Sequence, residues 1–317
     1  MSGLPVRVAG RETVALRALH RAREVPGWPP GPLLRGRPRS HEALKRQLDG
    51  PLPGRARVPR VTREQFIATQ FPSLAGWIRA AAATGSRARV QEHDGVVAQI
   101  SPAVPDASLF NSVTYRDVDA LRAALPDLEA AYVQAGVRAW TVWIHASDAD
   151  ASALVRDTGH VLDSAPQGMG CSLDELIAPE GLDELDYTEN PSVEDLQRVL
   201  AEGYGLPPEV INQATARVPT GDDTFVGLAR IEGRPACTVQ VTIAGDDAGV
   251  FAVATVPDAR GRSLARRLQY VLLQRARQRG AHTTTLQASE MGRPVYASLG
   301  YRSFGPMNMW ERRQPGD

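Results

Sequence analysis

Cysteine and lysine are nearly absent from this sequence of 317 residues. The two cysteines, Cys171 and Cys237, are too few and too far apart to indicate a disulfide framework or a structural zinc site. No apolar run reaches the ~18 residues of a membrane-spanning helix, and the first residues lack the apolar core of a signal peptide. Lys45 is the only lysine, and this use of Arg in place of Lys is typical of a GC-rich bacterial genome. We therefore expect a cytoplasmic bacterial protein with no metal site and no membrane contact.

The charge is balanced overall but unevenly distributed along the chain. The formal net charge is zero, so the whole chain has no general attraction for nucleic acid. Residues 1–60, however, carry a net +9, contain nine prolines and show little periodicity, which is typical of a poorly ordered Arg/Pro-rich extension. A basic arm for nucleic acid or an acidic partner is the alternative, but aromatic residues are not interleaved with the arginines. We expect an inert extension and no nucleic-acid partner.

The remaining sequence predicts two α/β domains, residues 61–180 and residues 186–313. Both end in the same order: a helix closed by glycine, a buried strand, a short helix, a glycine followed by a ring residue, and a final strand. This parallel indicates an internal duplication, with each half forming a mixed, mostly antiparallel sheet flanked by helices. In the first half we expect a hairpin at Asp94–Gly95 and a helix that is interrupted at Pro126.

The halves differ at one turn, Asp258–Ser263, which only the second half places between an apolar strand and an amphipathic helix. A helix N-terminus presents unpaired backbone N–H groups and partial positive charge, which suit a phosphate. Gly261 and the small Ser263 allow a ligand to approach the backbone, and three arginines suit bidentate phosphate contacts: Arg260, Arg262 and Arg266. A solvated helix start is the alternative. Neither G-x-G-x-x-G nor G-K-[ST] is present.

These motifs resemble the GNAT superfamily of acyl-CoA-dependent N-acetyltransferases over residues 186–313. The superfamily's [QR]-x-x-G-x-[GA] turn reads Arg260-Gly261-Arg262-Ser263-Leu264-Ala265 here, with Ser263 in place of the central glycine. Its Tyr-x-x-x-Gly-[Phe/Tyr] segment reads Tyr296-Ala-Ser-Leu-Gly300-Tyr301. The first half has Val155 at the place of this tyrosine, so it resembles a degenerate copy without the cofactor turn.

The resemblance implies an acetyl-CoA co-substrate and a set of site residues. Main-chain groups of residues 253–255 would bind the pantetheine arm, and the amides from Gly261 through Arg266 would hold the pyrophosphate. The implied cofactor-binding residues are Val253, Ala254, Thr255, Arg260, Gly261, Arg262, Ser263, Leu264, Ala265 and Arg266. Tyr296 would act as the general acid, since a tyrosine hydroxyl with a reference pKa of about 10 can protonate a departing thiolate.

A general base that keeps the acceptor amine neutral is not identified by any motif. Glu290 is our candidate, with an exposed loop acid as the alternative. Gln287, Ser289 and Tyr204 are candidate acceptor-binding residues. We expect direct acetyl transfer to a primary amine of a small molecule or peptide, with the first half packing against the active half and shaping the acceptor pocket. A non-catalytic acyl-CoA sensor on the same fold is the alternative, because Ser263 departs from the family pattern and no base is evident.

Overall fold

The computed structural model describes residues 61–314, so the expectation for residues 1–60 lies outside the described residues. In the first half the helices are α1 (Arg63–Ala68), α2 (Gln70–Thr84), α3 (Val118–Gln134) and α4 (Ala149–Asp157). Its strands are β1 (Arg89–His93), β2 (Val96–Ile100), β3 (Ser112–Tyr115), β4 (Ala139–His145), β5 (Val161–Ser164) and β6 (Gln167–Ser172). In the second half the helices are α5 (Val193–Tyr204), α6 (Pro208–Ala214), α7 (Leu264–Gln278) and α8 (Arg293–Ala297). Its strands are β7 (Tyr187–Glu189), β8 (Thr224–Ile231), β9 (Arg234–Ala244), β10 (Asp247–Thr255), β11 (Thr283–Ala288) and β12 (Arg302–Arg313).

Local sequence signals set most of these boundaries. Ser192 begins α5 as its N-cap, because its hydroxyl accepts a hydrogen bond from the backbone N–H of Asp195 at 3.2 Å. The predicted interruption of α3 at Pro126 was wrong, since α3 continues through this residue. Pro126 lies on the exposed face of the helix, where the carbonyl of Arg122 that loses its N–H partner can bond to water. None of the helices between residues 61 and 314 has the length and apolar composition that crossing a membrane requires.

The two halves exchange their last strands. The strand order is β1-β2-β3-β4-β12-β6-β11-β10-β9-β8-β7, with β5 beside β12. β6 of the first half pairs antiparallel with β11, with Ser172 opposite Thr283, whereas β12 pairs antiparallel with β4, with Met307 opposite His145. Each half's sheet is therefore completed by the final strand of the other half.

The predicted fold class, an α/β fold in which each half has a mixed and mostly antiparallel sheet, is confirmed. Parallel pairing within the described chain joins β3 to β4 and β10 to β11, one pair in each half. The division into domains at residues 61–180 and 186–313 stays a prediction, and the exchanged strands cross it.

Aromatic side chains join the halves where the exchanged strands meet. Phe66 of α1 and Phe304 of β12 stack with their ring centroids 6.0 Å apart, and both rings press on glycines of β6. A Cβ at Gly168 would lie 2.3 Å from the Phe304 ring, and one at Gly170 would lie 2.4 Å from the Phe66 ring. A side chain at either glycine would force these rings away, so the close approach of the halves depends on bare backbone here.

Candidate active site

β10 separates from β11 partway along its length. The two strands pair in parallel only at Asp247–Gly249. Beyond this point β10 bulges: its register against β9 shifts between Phe251 and Ala254, and Ala252 takes a φ of 49°. The predicted pantetheine-binding segment, Val253–Thr255, consequently has no strand partner on its β11 side. No strand therefore occupies the main-chain groups on that side, although the carbonyl of Thr255 accepts a hydrogen bond from Arg260 at 3.3 Å.

The turn between β10 and α7 carries a row of unpaired backbone N–H groups. Gly261 and Ser263 have φ values of 76° and 57°, and Ser263 at the N-cap makes no side-chain hydrogen bond to the helix. Among the residues that the structure describes, none accepts a hydrogen bond from the amides of Gly261–Arg266. Apart from the adjacent residues, no atom of the described chain lies within 4 Å of the position that a Cβ on Gly261 would take. The turn is therefore open, rich in donors and at the positive end of a helix dipole, which suits an anion.

Two of the three arginines at this turn are bonded to backbone carbonyls. Arg260 donates from Nε to the carbonyl of Thr255 at 3.3 Å and from an Nη to the carbonyl of Gly203 at 3.1 Å. Arg266 donates to the carbonyl at the C-cap of α8 at 3.1 Å. Arg262 is exposed. The structure thus places Arg260 and Arg266 as ties between the turn and its neighbours, while phosphate contacts from the three arginines stay a prediction.

Arg267 is a residue near the turn that the sequence motifs did not single out. One Nη donates to the carbonyl of Gly181 and the other to the carbonyl of Arg262, both at 2.8 Å. Glu184 lies 3.6 Å away as an ion-pair partner, and the Arg267 side chain is only 13% exposed. Arg267 therefore fixes the start of α7 to the segment that connects the halves. The preceding residue in α7, Arg266, is also an arginine, so nothing local distinguishes Arg267.

The corresponding helix start in the first half is closed by its own carboxylate. β3 passes into α3 without a glycine turn, and the Asp117 carboxylate accepts a hydrogen bond from the backbone N–H of Ala120 at 2.9 Å. This hydrogen bond, and then the one from Arg116, lowers the pKa of the Asp117 carboxyl. Val155, at the tyrosine's place, is buried. The first half therefore has neither an open helix N-terminus nor a hydroxyl at this position.

A cavity of about 240 Å³ lies between the halves beside the β10 bulge. Its walls include residues of α2 and β4 from the first half and of α5, α6, β10 and β11 from the second. Five of the predicted site residues line it together: Tyr204, Val253, Gln287, Ser289 and Tyr296. Glu290 is exposed and is not among the residues that line the cavity. The structure thus brings the predicted general acid together with the predicted acceptor-side residues, and it leaves the predicted base outside.

Tyr296 has the protonation state that a general acid needs. The residue is 8% exposed, and burial raises the pKa of its hydroxyl, with a smaller contribution from the Cys237 thiol. Burial likewise raises the pKa of Tyr204, with added contributions from Tyr296 and Cys237. No hydrogen bond joins the Tyr296 hydroxyl to another residue in the described part of the chain. This hydroxyl is therefore protonated at pH 7 and available to a ligand.

Cys237 belongs to the same cluster as the tyrosines. The Thr255 hydroxyl donates to its Sγ at 3.4 Å, and burial raises the pKa of the thiol to about 12. A thiol that stays protonated is a weak nucleophile, because the thiolate is the reactive form. Cys237 is thus a neutral packing residue beside the site.

Between residues 61 and 314, no group of three or more His, Cys, Asp or Glu side chains could hold a metal ion.

The residues at the end of β11 and immediately after it are fixed by polar contacts. Gln287 donates to the side-chain oxygen of Gln70 on α2 at 2.7 Å, which links the cavity wall to the first half. The Ser289 hydroxyl accepts a hydrogen bond from the backbone N–H of Gly292 at 3.2 Å. Gln70 was not predicted, because its role depends on how the halves pack and leaves no local sequence signal.

Residues 202–309 match the profile of the acetyltransferase (GNAT) domain. This range contains the β10 bulge, the turn, α7 and Tyr296. The second half of the chain therefore carries a GNAT acetyltransferase domain, and the family that the sequence motifs indicated is confirmed for it. A comparison with curated proteins found no match.

Solved structures share the fold across both halves. A GCN5-related N-acetyltransferase from Kribbella flavida aligns with a TM-score of 0.57 and 17% identity over 78% of this chain and 96% of that chain. A functionally unknown conserved protein from Staphylococcus epidermidis aligns with a TM-score of 0.51 and 12% identity over 72% of this chain and 95% of that chain. A tandem GNAT protein from the clavulanic acid biosynthesis pathway aligns with a TM-score of 0.46 and 13% identity over 79% of this chain and 98% of that chain. This TM-score is too low to support a conclusion. Identities at this level show a shared fold alone.

Proposed function

We propose that this protein is an N-acetyltransferase that moves an acetyl group from acetyl-CoA directly to a primary amine. The observation that carries the proposal is the contrast between two equivalent helix starts. In α7 the amides of Gly261–Arg266 have no acceptor among the described residues, whereas in α3 the Asp117 carboxylate occupies the first-turn N–H of Ala120. Only the second half therefore offers its helix N-terminus to an external anion.

The second half presents groups that fit both ends of acetyl-CoA. The amides of Gly261–Arg266 would hold the pyrophosphate, with Arg262 exposed beside them. The main-chain groups of Val253–Thr255, which have no strand partner on the β11 side, would hold the pantetheine arm. When bound, this co-substrate supplies the activated acetyl group. The proposal also divides the chain into domains at residues 61–180 and 186–313, of which the first lacks a cofactor-binding turn.

Tyr296 is the proposed general acid. Its buried, protonated hydroxyl would donate a proton to the departing sulfur as the carbon–sulfur bond breaks. The neutral thiol of Cys237 supports direct transfer to the amine, because a protonated thiol would not take the acetyl group first. Glu290 remains the candidate base; its exposed position outside the cavity means that it would act on the amine through water.

An acyl-CoA sensor on the same fold is the second candidate function. One observation favours it: no carboxyl side chain that could act as a base lines the cavity among the described residues. A sensor needs the cofactor turn but neither a base nor turnover.

The test uses the full chain, because β6 and β12 are exchanged between the halves. Titration calorimetry with acetyl-CoA comes first, and absence of binding would refute both candidate functions. Thiol release is then measured with a panel of amines. Turnover that Tyr296→Phe reduces strongly supports the acetyltransferase, whereas binding without thiol release from any amine supports the sensor.

A further inference from the structure

The cavity beside Tyr296 carries no charge on its walls. Every described residue that lines it has an apolar or an uncharged polar side chain. Aromatic rings come from both halves: Trp77 of α2 stacks on Phe251 of β10 with centroids 5.4 Å apart and planes within 17°. The indole N–H of Trp143 is already bonded to the Ser112 hydroxyl at 3.1 Å, so Trp143 offers the cavity its ring rather than its donor.

Two glutamine side chains on the walls donate hydrogen bonds to the protein. Gln240 donates to the Thr242 hydroxyl at 3.3 Å, and Gln287 donates to Gln70 at 2.7 Å. The buried carboxyl of Asp247 lies behind the wall, where the hydroxyls of Thr283 and Thr285 donate to it at 2.8 and 2.6 Å. An ammonium group inside the cavity would thus be desolvated without a carboxylate partner, which costs several kcal/mol.

We propose that the acceptor is an aromatic amine, a class whose nitrogen is uncharged at pH 7. This inference rests on the acetyltransferase function proposed above. An alkylamine with a lysine-like pKa is neutral in only about one molecule in 10³ at pH 7, so it needs a base, and no carboxylate or imidazole among the described residues lines the cavity. An aromatic amine needs none. The space also fits, because a cavity of about 150 Å³ holds benzene and this one measures about 240 Å³.

The step balances without a side-chain base. The amine nitrogen forms the new bond to the acetyl carbon, and the carbon–sulfur bond breaks. The sulfur takes the proton of the Tyr296 hydroxyl, and the proton that the nitrogen loses returns to the Tyr296 oxygen through water. The products are the N-acetyl aromatic amine and the free thiol.

The kinetic test compares aniline with cyclohexylamine, two amines that share ring size and nitrogen position but differ in charge at pH 7. With acetyl-CoA and the full chain, kcat/KM for thiol release at pH 7 is expected to be at least tenfold higher for aniline. It should be flat for aniline from pH 6.5 to 8.5 and rise about tenfold per pH unit for cyclohexylamine as its neutral fraction grows. Preference for cyclohexylamine or spermidine at pH 7 would overturn the inference.

A charge placed on the wall gives a second test. Gln287→Glu adds a carboxylate with little change in shape, and it should shift the kcat/KM ratio at least tenfold toward cyclohexylamine. Gln134→Glu, the same change at an exposed position of α3, should leave the ratio unchanged. Equal ratios in both variants would show that the cavity does not hold the amine.

Direct binding separates this inference from the proposed function. Saturation-transfer NMR on the full chain with CoA present should detect aniline and not cyclohexylamine, whether or not turnover occurs. Failure of acetyl-CoA to bind refutes the proposed function. Binding of acetyl-CoA together with binding of cyclohexylamine but not aniline refutes the acceptor class alone.

Discussion

A negative charge at Ser263 is expected to weaken CoA binding without unfolding the protein. Ser263 is exposed, and its side chain makes no hydrogen bond to α7, so Ser263→Asp removes no contact of the folded chain. Its φ of 57° lies in the left-handed region, which Asp and Asn tolerate better than other non-glycine residues. Ser263→Asn is the matched control, because it has nearly the same shape as the Asp variant and no charge.

The magnitude follows from Coulomb's law. A carboxylate and a phosphate charge ~6 Å apart repel each other by about 0.7 kcal/mol at the dielectric constant of water and by about 3 kcal/mol at an effective value of 20. Ser263→Asp should therefore raise the Kd for CoA between about 3-fold and about 100-fold relative to Ser263→Asn. The difference should shrink in high salt, because the Debye length falls to about 3 Å at 1 M.

Titration calorimetry of both variants at low and high salt measures this difference, and thermal unfolding confirms that each is folded. Stability should change by no more than about 1 kcal/mol, since an acid near a helix N-terminus is mildly favourable. If the two variants bind CoA with Kd values within twofold of each other at low salt, the phosphates do not lie at this turn. The proposed assignment of Gly261–Arg266 would then be wrong.

Three further changes test other parts of the structure. Tyr296→Phe should lower kcat by about 10²- to 10⁴-fold with CoA affinity unchanged, whereas Tyr301→Phe, a buried tyrosine that does not line the cavity, should lower thermal stability and leave the thiol-release rate within about threefold. Burial raises the pKa of Asp247 to about 6, so the stability that its protonated form contributes is complete below pH ~4 and is lost as pH rises through 6. Asp247→Asn should reduce this loss of unfolding free energy by up to about 3 kcal/mol. Urea unfolding that gives both proteins the same change in unfolding free energy between pH 4 and pH 7 would contradict this prediction. Residues 181–317 expressed alone should lack the cooperative melting transition that co-expression with residues 1–180 restores, because β6 lies between β11 and β12; a cooperative melt of the isolated piece would argue against the need for the exchanged strand.

The sequence was sufficient for the parts of the site that depend on neighbouring residues. The Asp258–Ser263 turn was predicted from a buried strand, small residues and an amphipathic helix, which are all contiguous. Two elements of the same site left no such signal. The β10 bulge has Ala252, not glycine, at positive φ, and Ala does not indicate that conformation. The carbonyl contacts of Arg260 and Arg266 are the second element, because their long side chains reach other segments of the chain, while their predicted phosphate contacts stay a prediction.

The strand exchange could not be predicted from the repeat. β6 and β12 occupy equivalent places in the two halves, so each strand has the apolar pattern that either sheet can accept. Which sheet a terminal strand joins depends on contacts between the halves, such as the Phe304 ring against Gly168. The cavity has the same origin, because its aromatic walls come from Trp77 and Trp143 in one half and Phe251 in the other.

The difference between the halves reduces to a small number of atoms at equivalent helix starts. In α3 the carboxylate of Asp117 satisfies a first-turn N–H and places a negative charge where a phosphate would have to lie. In α7 the turn takes Gly261 and Ser263 through positive φ and leaves the amides open. The first half, in which a carboxylate occupies the start of α3, contributes to the structure through packing instead. Here it supplies β6 to the sheet of the second half and Trp77 and Trp143 to the cavity wall. Opening α3 with Asp117→Gly would therefore be expected to expose backbone donors without making the first half equivalent to the second, because Val155 has no hydroxyl group where the second half has Tyr296.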